Sequence, residues 1–430
     1  MSSSRYEESE RFLIRAEKSI PLGSQTFSKS KTQYPIGISP FFIDKAKGSY
    51  VWDIDGNRYV DLVNSLACIT LGYSDPRIIR DVKYQLKKGT IFSLPGTLEA
   101  EVAELIIDMV PSAEMVRFGK NGSDATSAAV RLARAYTGRD EIAYCGYHGW
   151  QDWFIGATTR NKGVPTAVIE LIHSFEFNNL DSLKKIFANK PKKIAAVIME
   201  PMASVYPEPD FLQEVKKLAH DNGALLIFDE TITGFRFAKG GAQEEFGVTP
   251  DLSTLGKGMA NGFPLSAVVG KKEIMMEMEN IFFSGTFGGE LLSLAAAKSV
   301  LKMHQEGDIT GKLAKIGTNI QTGVEKCIEA ANLNQVLRLE GHPTWKFLKW
   351  DSINGLEVNV IKTFFMQEML SRGVLILGTH NVSCSIRKKH IAKVVNTYSE
   401  VLGELALGLK SNKLEELLIA KPLKPLFSIR

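Results

Sequence analysis

The order of apolar and polar residues changes character twice along the chain. Near the start, residues 11–20 read as a helix that Pro21 ends. From Gly48 to Val63 apolar and polar residues alternate around Asp55-Gly56, a dipeptide that favours a tight hairpin turn. From about residue 75, helical spacing and short apolar runs take turns. Leu98–Met109 repeats apolar residues at helical intervals. Val116–Phe118 reads as a strand, followed by Asn121-Gly122-Ser123 and a helix from Asp124 to Tyr136 that Gly138 stops. Ile194–Met199, Ala224–Phe228 and Leu265–Val269 are continuous apolar runs. Between the first two lies a helix with Asp210 as expected N-cap, Gln213 completing a capping box and Gly223 as stop. Strand, helix and strand at this spacing predict a βαβ unit with buried parallel strands. Beyond residue 310 the helical patterns lengthen. Two short strands, Trp345–Leu348 and Val374–Leu377, and a helix His390–Leu407 predict a separate α+β unit. The last dozen residues, with Pro422 and Pro425, carry little regular signal.

Composition narrows the class. The 430 residues are 44% hydrophobic and 23% charged, an ordinary globular balance that needs no disulfide or metal to hold a core. Cys68, Cys145, Cys327 and Cys384 never fall at CxxC spacing, so no metal site is expected and reduced thiols fit a cytoplasmic protein. A net charge of +4 is too small to imply a nucleic-acid partner, and Lys184–Lys193 reads as a solvated helix end and loop. No apolar run reaches the roughly 20 residues of a membrane span. Met1–Glu10 has no hydrophobic signal core.

Four short stretches carry candidate chemistry. Asp229 closes the apolar run ending at Phe228, and open α/β sheets place ligands at such strand ends. Its carboxylate suits a cationic ring nitrogen, although most aspartates there simply cap turns. Lys257 stands between Gly256 and Gly258, where the backbone lets a ligand approach closely. A desolvated lysine is a nucleophile, whereas a lone lysine in a turn is ordinarily a surface residue. The same stretch lacks the third glycine of a dinucleotide loop, because Asn261 stands there, and the Ser or Thr of a P-loop, because Gly258 does. Asn121-Gly122-Ser123 opens a helix after a strand, which makes an anion cradle or a plain cap. In Gly146-Tyr147-His148-Gly149, Tyr147 offers a face for stacking, and His148 is an acid–base candidate or a satisfied structural residue. A phosphate cradle, a stacking ring, an acid for a ring nitrogen and an amine for an aldehyde together fit pyridoxal phosphate.

With these residues the chain resembles the class III aminotransferases, most closely their glutamate-1-semialdehyde aminomutase branch. The stretches that carry the likeness include VWDIDGNRYVDL, GYHGWQD, LLIFDETITGFR, PDLSTLGKGMANGFPLSAVVG and SGTFGGE, and it runs from about Pro21 past His390. The resemblance implies the fold type I architecture of pyridoxal-phosphate enzymes. A large domain, residues 73–310, would carry a mainly parallel central sheet with helices on both faces. A small α+β domain would be built from the two chain ends, 1–72 and 311–430. The resemblance also implies that Lys257 is the Schiff-base lysine and that Asp229 pairs with the pyridine nitrogen. Gly122 and Ser123 would hold the phosphate, Tyr147 and Thr231 the two ring faces, and Glu200 would support them. Thr286 would reach the phosphate in a neighbouring subunit, giving a homodimer. Substrate contacts are expected from Thr26, Lys29, His148 and Arg387, with Arg236 a further cation. Where the aminomutases carry Ser and Arg to grip a carboxylate, this chain has Thr26 and Lys29. Lysine cannot make arginine's planar two-point contact. The expectation is therefore transfer of an amino group between molecules, from an amino acid such as L-glutamate to an aldehyde or ketone. The loop Pro21–Lys29 also resembles aminomutase-like proteins of surface-polysaccharide gene sets, which implies a sugar-derived or phosphorylated acceptor. The alternatives are the aminomutase reaction itself and a non-catalytic scaffold of the same fold.

Overall fold

A computed structural model describes residues 5–353 and 355–424. Met1–Ser4 of the N-terminal segment and the tail from Pro425 lie outside the described residues. The chain forms two compact units. Of the described residues, one holds 5–75 and 312–424, and the other is Pro76–Gly311.

The unit Pro76–Gly311 is built on a seven-stranded sheet. In spatial order its strands are Met115–Gly119, Ser266–Gly270, Leu252–Leu255, Leu225–Glu230, Ile194–Met199, Glu141–Cys145 and Ile172–Ser174. All pairings are parallel except those of Ser266–Gly270, which runs against both neighbours. Alternate residues face opposite ways along a strand. Ile142, Ile198 and Ile227 therefore pack on the helix Gly122–Thr137, while Val197, Leu226 and Phe228 pack on the helix Phe211–Asp221. Burial on both faces explains the unbroken apolar runs. The predicted helix 98–109 is Thr97–Ile107.

The helix after Asp210 corrects the expected capping box. Asp210 precedes it with φ +62° and makes no side-chain cap bond. In that left-handed conformation the backbone carbonyl still accepts from Glu214 N–H, at 2.8 Å, but the carboxylate does not cap the first turn. Gly223, at φ +68°, does mark the stop.

In the other unit the first helix is Glu7–Glu17 rather than 11–20 and ends before Pro21, which instead opens the short 3₁₀ turn Pro21–Gly23. The hairpin at Asp55-Gly56 joins Tyr50–Asp53 to Arg58–Asp61, and Val374–Leu375 adds to it in parallel. A second sheet contains Leu337–His342, Trp345–Trp350 and Thr379–Asn381. Only the middle strand of the three was expected. The long helices are Ile309–Ala330, Val358–Ser371 and Lys388–Lys410. Among the described residues no helix is long and apolar enough to cross a membrane.

Two features of this unit follow from close approach. Asn64, Ser65, Leu66 and Ala67 all have positive φ, from 44° to 68°. Left-handed turns cost L-residues about 1–2 kcal/mol each. Asp61 Oδ1 holds the turn by accepting from Val63 N–H at 2.7 Å and Asn64 N–H at 3.0 Å, while Asn381 Nδ2 donates to the Val63 carbonyl at 2.8 Å. Gly317 lies so close to the Pro343 carbonyl that an added Cβ would collide with backbone. Gly317→Ala should therefore destabilise the protein by about 1–3 kcal/mol, read as a lower urea midpoint at unchanged slope.

Candidate functional site

The site grows from the end of one buried strand. Leu225–Glu230 is buried throughout, and its last two residues, both acidic, face opposite sides. Glu230 points away from Asp229 into a pocket of donors. It accepts from Thr233 Oγ1 at 2.7 Å, Gln243 Nε2 at 2.9 Å and the N–H groups of Ala242 and Gln243. Asp229 points to the side of the helix Gly122–Thr137. Its Oδ1 accepts from Thr231 Oγ1 at 2.6 Å, Thr231 N–H at 3.1 Å and Thr254 Oγ1 at 2.9 Å, and its Oδ2 lies 2.9 Å from His148 Nδ1. Burial pushes the Asp229 carboxyl up, but the His148 hydrogen bond and charge, then Thr231, outweigh it and hold the group below the usual carboxylate range. Thr254 was not anticipated. It is the parallel-register partner of Asp229 on the adjacent strand, a relation that no local pattern encodes.

His148 was expected among the substrate contacts. Instead it is buried, with one ring nitrogen on Asp229 and the other 3.1 Å from the Cys145 carbonyl. Trp153 and Phe154 pack on its ring. It positions the carboxylate from within.

The loop carrying His148 is pressed against the helix start. Gly146 and Gly149 have φ of +104° and +108°. A Cβ at Gly146 would lie 2.6 Å from Glu200 Oε2, and one at Gly149 would overlap the Ser123 side chain. The close approach lets Tyr147 N–H donate to Glu200 Oε2 at 3.0 Å and Trp150 N–H donate to Ser123 Oγ at 3.2 Å. Burial first, and then the Asp229 charge, raises the Glu200 carboxyl above its usual range, while His148, the Tyr147 N–H and Lys257 oppose the rise.

At the helix start Asn121 caps Asp124 N–H, and the Asp124 carboxylate returns to Asn121 N–H at 3.0 Å. Among the described residues no hydrogen bond within the chain takes the N–H of Gly122 or Ser123. A Cβ on Gly122 would sit 3.0 Å from Thr231, so a small ligand can reach these donors only past glycine. Lys257 opens a 3₁₀ turn after the buried strand Leu252–Leu255, with φ +40°, and its charge is felt at Glu200. Tyr147 is 44% exposed and packs edge-on to Phe154.

Lys257, Asp229, Gly122, Ser123, Tyr147, His148, Glu200 and Thr231 thus lie in one unit. Thr286 belongs to the same unit and is exposed in the turn 285–288. Arg236 is fully buried there and presents no surface to a ligand. Thr26, Lys29 and Arg387 belong to the other unit. Lys29 lines a cavity of about 370 Å³ with Tyr34, Phe41, Asp61, Ser65 and Tyr73. Thr26 flanks the turn Phe27–Lys29, and Arg387 is exposed before the helix Lys388–Lys410. The open amide pair, the ionised carboxylate and the lysine fit the phosphate, ring nitrogen and aldehyde of pyridoxal phosphate.

The chain is similar to known proteins in sequence and fold. Residues 33–402 match the family model for aminotransferase class-III. A glutamate-1-semialdehyde 2,1-aminomutase of Syntrophobacter fumaroxidans (strain DSM 10017 / MPOB) is 36% identical over 398 residues, 87% of this chain and 92% of that protein. Among solved structures, the FumI protein of Sphingopyxis sp. MTA144 superposes with a TM-score of 0.88 at 26% identity, covering 96% of this chain and 98% of that one. An omega-transaminase from Sphaerobacter thermophilus gives 0.85 at 26% identity, over 94% and 100% of the two chains.

The Asp229–His148 bond sets a pH expectation. A depressed carboxyl stays ionised until the pH falls below the usual range, and its interactions are lost as pH falls through the folded value. His148→Phe removes the strongest opposition to burial. The acid limb of pyridoxal-phosphate affinity against pH should then move up by about one unit or more, read by absorbance titration. An unmoved limb would separate His148 from the Asp229 charge.

Proposed function

We propose a specific transamination for this chain, which belongs to the class-III aminotransferase family and uses pyridoxal phosphate. An amino group passes from L-glutamate to an aldehyde or ketone acceptor, in the cytoplasm. Bound pyridoxal phosphate supplies an aldehyde that takes up amines and a cationic ring that draws electrons from the substrate carbon. The chain supplies the rest. The Gly122 and Ser123 amides hold the phosphate at the helix N-terminus. Asp229 would keep the ring nitrogen protonated, and Tyr147 and Thr231 would hold the ring. Lys257 would hold the aldehyde end of the cofactor and, as a free amine, carry the proton from the substrate carbon. Glu200 holds the Tyr147 backbone in place.

The observation that carries this reading is the buried Asp229 carboxylate, kept ionised by four donors, with Lys257 close enough to Glu200 for its charge to act there. Transfer between molecules is favoured by Lys29. Burial raises the Asp61 carboxyl above its usual range, and the Tyr73, Asn64 and Val63 donors and then this ammonium, acting as a point charge, oppose the rise. A planar grip on a substrate carboxylate calls for a guanidinium. The aminomutase reaction is the second reading, supported by the relative at 36% identity.

Lys257→Ala should lower turnover by at least about a thousandfold, and borohydride should fix the cofactor to Lys257 in the unaltered protein. Glutamate should bleach the yellow holoenzyme, and carbonyl compounds, sugar-derived and phosphorylated ones first, should restore the colour. Rapid conversion of glutamate-1-semialdehyde to 5-aminolevulinate without added donor would instead establish the second reading.

The working form is proposed to be a homodimer in which Thr286 reaches the partner's cofactor phosphate. Support comes from large apolar side chains left open around Thr286 and elsewhere on the same unit, among them Phe282 at 81% and Leu94 at 79% exposure. Phe282→Asp should shift the sedimentation profile from dimer towards monomer. A dimer that persists at low micromolar concentration would overturn this placement of the interface.

A further inference from the structure

A second concave site lies in the unit formed by the chain before Pro76 and after Gly311, with no part in the chemistry above. Its cavity of about 550 Å³ is lined by Arg5, Tyr50, Arg58, Ser371, Arg372 and Lys393, among others. The lining includes four cations and no carboxylate. Arg372 is more than offset by Glu368, Glu400 and Glu404. Arg5 donates to the Ser371 carbonyl, the last of the helix Val358–Ser371. Arg58 and Lys393 differ: among the described residues neither has a carboxylate within the 4.0 Å of an ion pair. The Arg58 guanidinium lies over the Tyr50 ring, 4.7 Å from its centre, and Lys389 Nζ approaches the same ring at 5.9 Å. His390 meets that ring edge-on at 4.7 Å, is 4% exposed, and has an Nε2 with no hydrogen-bond partner. Burial and then Lys389, Arg387 and Arg58 disfavour its protonation, an independent sign of positive potential around Tyr50.

Arg5 and Arg372 have structural partners, whereas Arg58 and Lys393 add positive charge to the cavity wall that no carboxylate offsets. Unbalanced positive charge on a concave wall attracts counter-ions. We propose that this cavity binds a small, multiply charged soluble anion of the phosphate-ester or diphosphate class. Arg58 and Lys393 supply the charge-assisted hydrogen bonds, and Tyr50 supplies a flat wall. The volume is that of a small-molecule site.

The test uses the full chain loaded with pyridoxal phosphate, so that the catalytic phosphate site is filled, and inorganic pyrophosphate as probe in calorimetric titration. Two variants accompany it: Arg58→Gln with Lys393→Gln, and the charge-matched control Lys184→Gln with Lys185→Gln. Saturable binding to the unaltered and control proteins is expected, at least about tenfold weaker in the Arg58/Lys393 variant, with unchanged thermal midpoints. Equal affinity in all three proteins, or no saturable binding by the unaltered one, overturns the proposal. Capture by anionic vesicles or duplex DNA without pyrophosphate binding overturns it too.

Discussion

A charged carboxylate buried at the end of a sheet strand is costly unless every lone pair finds a donor or a cation. Asp229 meets that demand with Thr231, Thr254 and His148. Each of these partners constrains a different element. Thr254 fixes the register of the neighbouring strand. Thr231 fixes the turn that leaves the strand. His148 fixes a loop whose glycines allow it to lie against Glu200 and Ser123. The same interactions that satisfy one buried charge thereby place the open amides of Gly122 and Ser123 within one unit with it.

The chemistry was more legible in sequence than the geometry that supports it. Asp229, Lys257 and the helix start stood out because strand ends, flanking glycines and caps are local signals. The parallel core was legible because strands covered on both faces have no polar alternation. The reversed direction of Ser266–Gly270 was not, since an apolar run reads alike both ways. Leu337–His342 escaped notice because Arg338, Glu340 and Gly341 break its apolar pattern. Asp210 misled because cap chemistry in sequence says nothing of a left-handed backbone. The roles of Thr254 and His148 depend on contacts 25 and 81 residues away in sequence.

Adjacent residues also divide the work. Asp229 and Glu230 differ by one position on the strand and so by one face of the sheet. Among the described residues Glu230 forms no ion pair. Burial raises its carboxyl, with the Gln243, Thr233 and Ala242 donors opposing the rise. Asp229 sits beside His148 and is lowered. Two acids in one strand thus hold opposite tendencies, because the partners available on each face differ. Asp229, lowered by its partners and on the face of the helix Gly122–Thr137, is the one suited to keeping a ring nitrogen protonated.

The four-residue left-handed turn at Asn64–Ala67 shows what such over-determination permits. None of its residues is glycine, so the backbone is held where it would not rest by itself. Asp61 is again a buried carboxylate, this time anchored by Tyr73 and two backbone amides. It lines the cavity that Lys29 also lines, and Ser65 reaches that cavity from within the turn. Relaxing the turn would withdraw Ser65 from the wall and leave Asp61 without the amides that satisfy it. The strain is held where its release would unmake a wall of the cavity that Lys29 also lines.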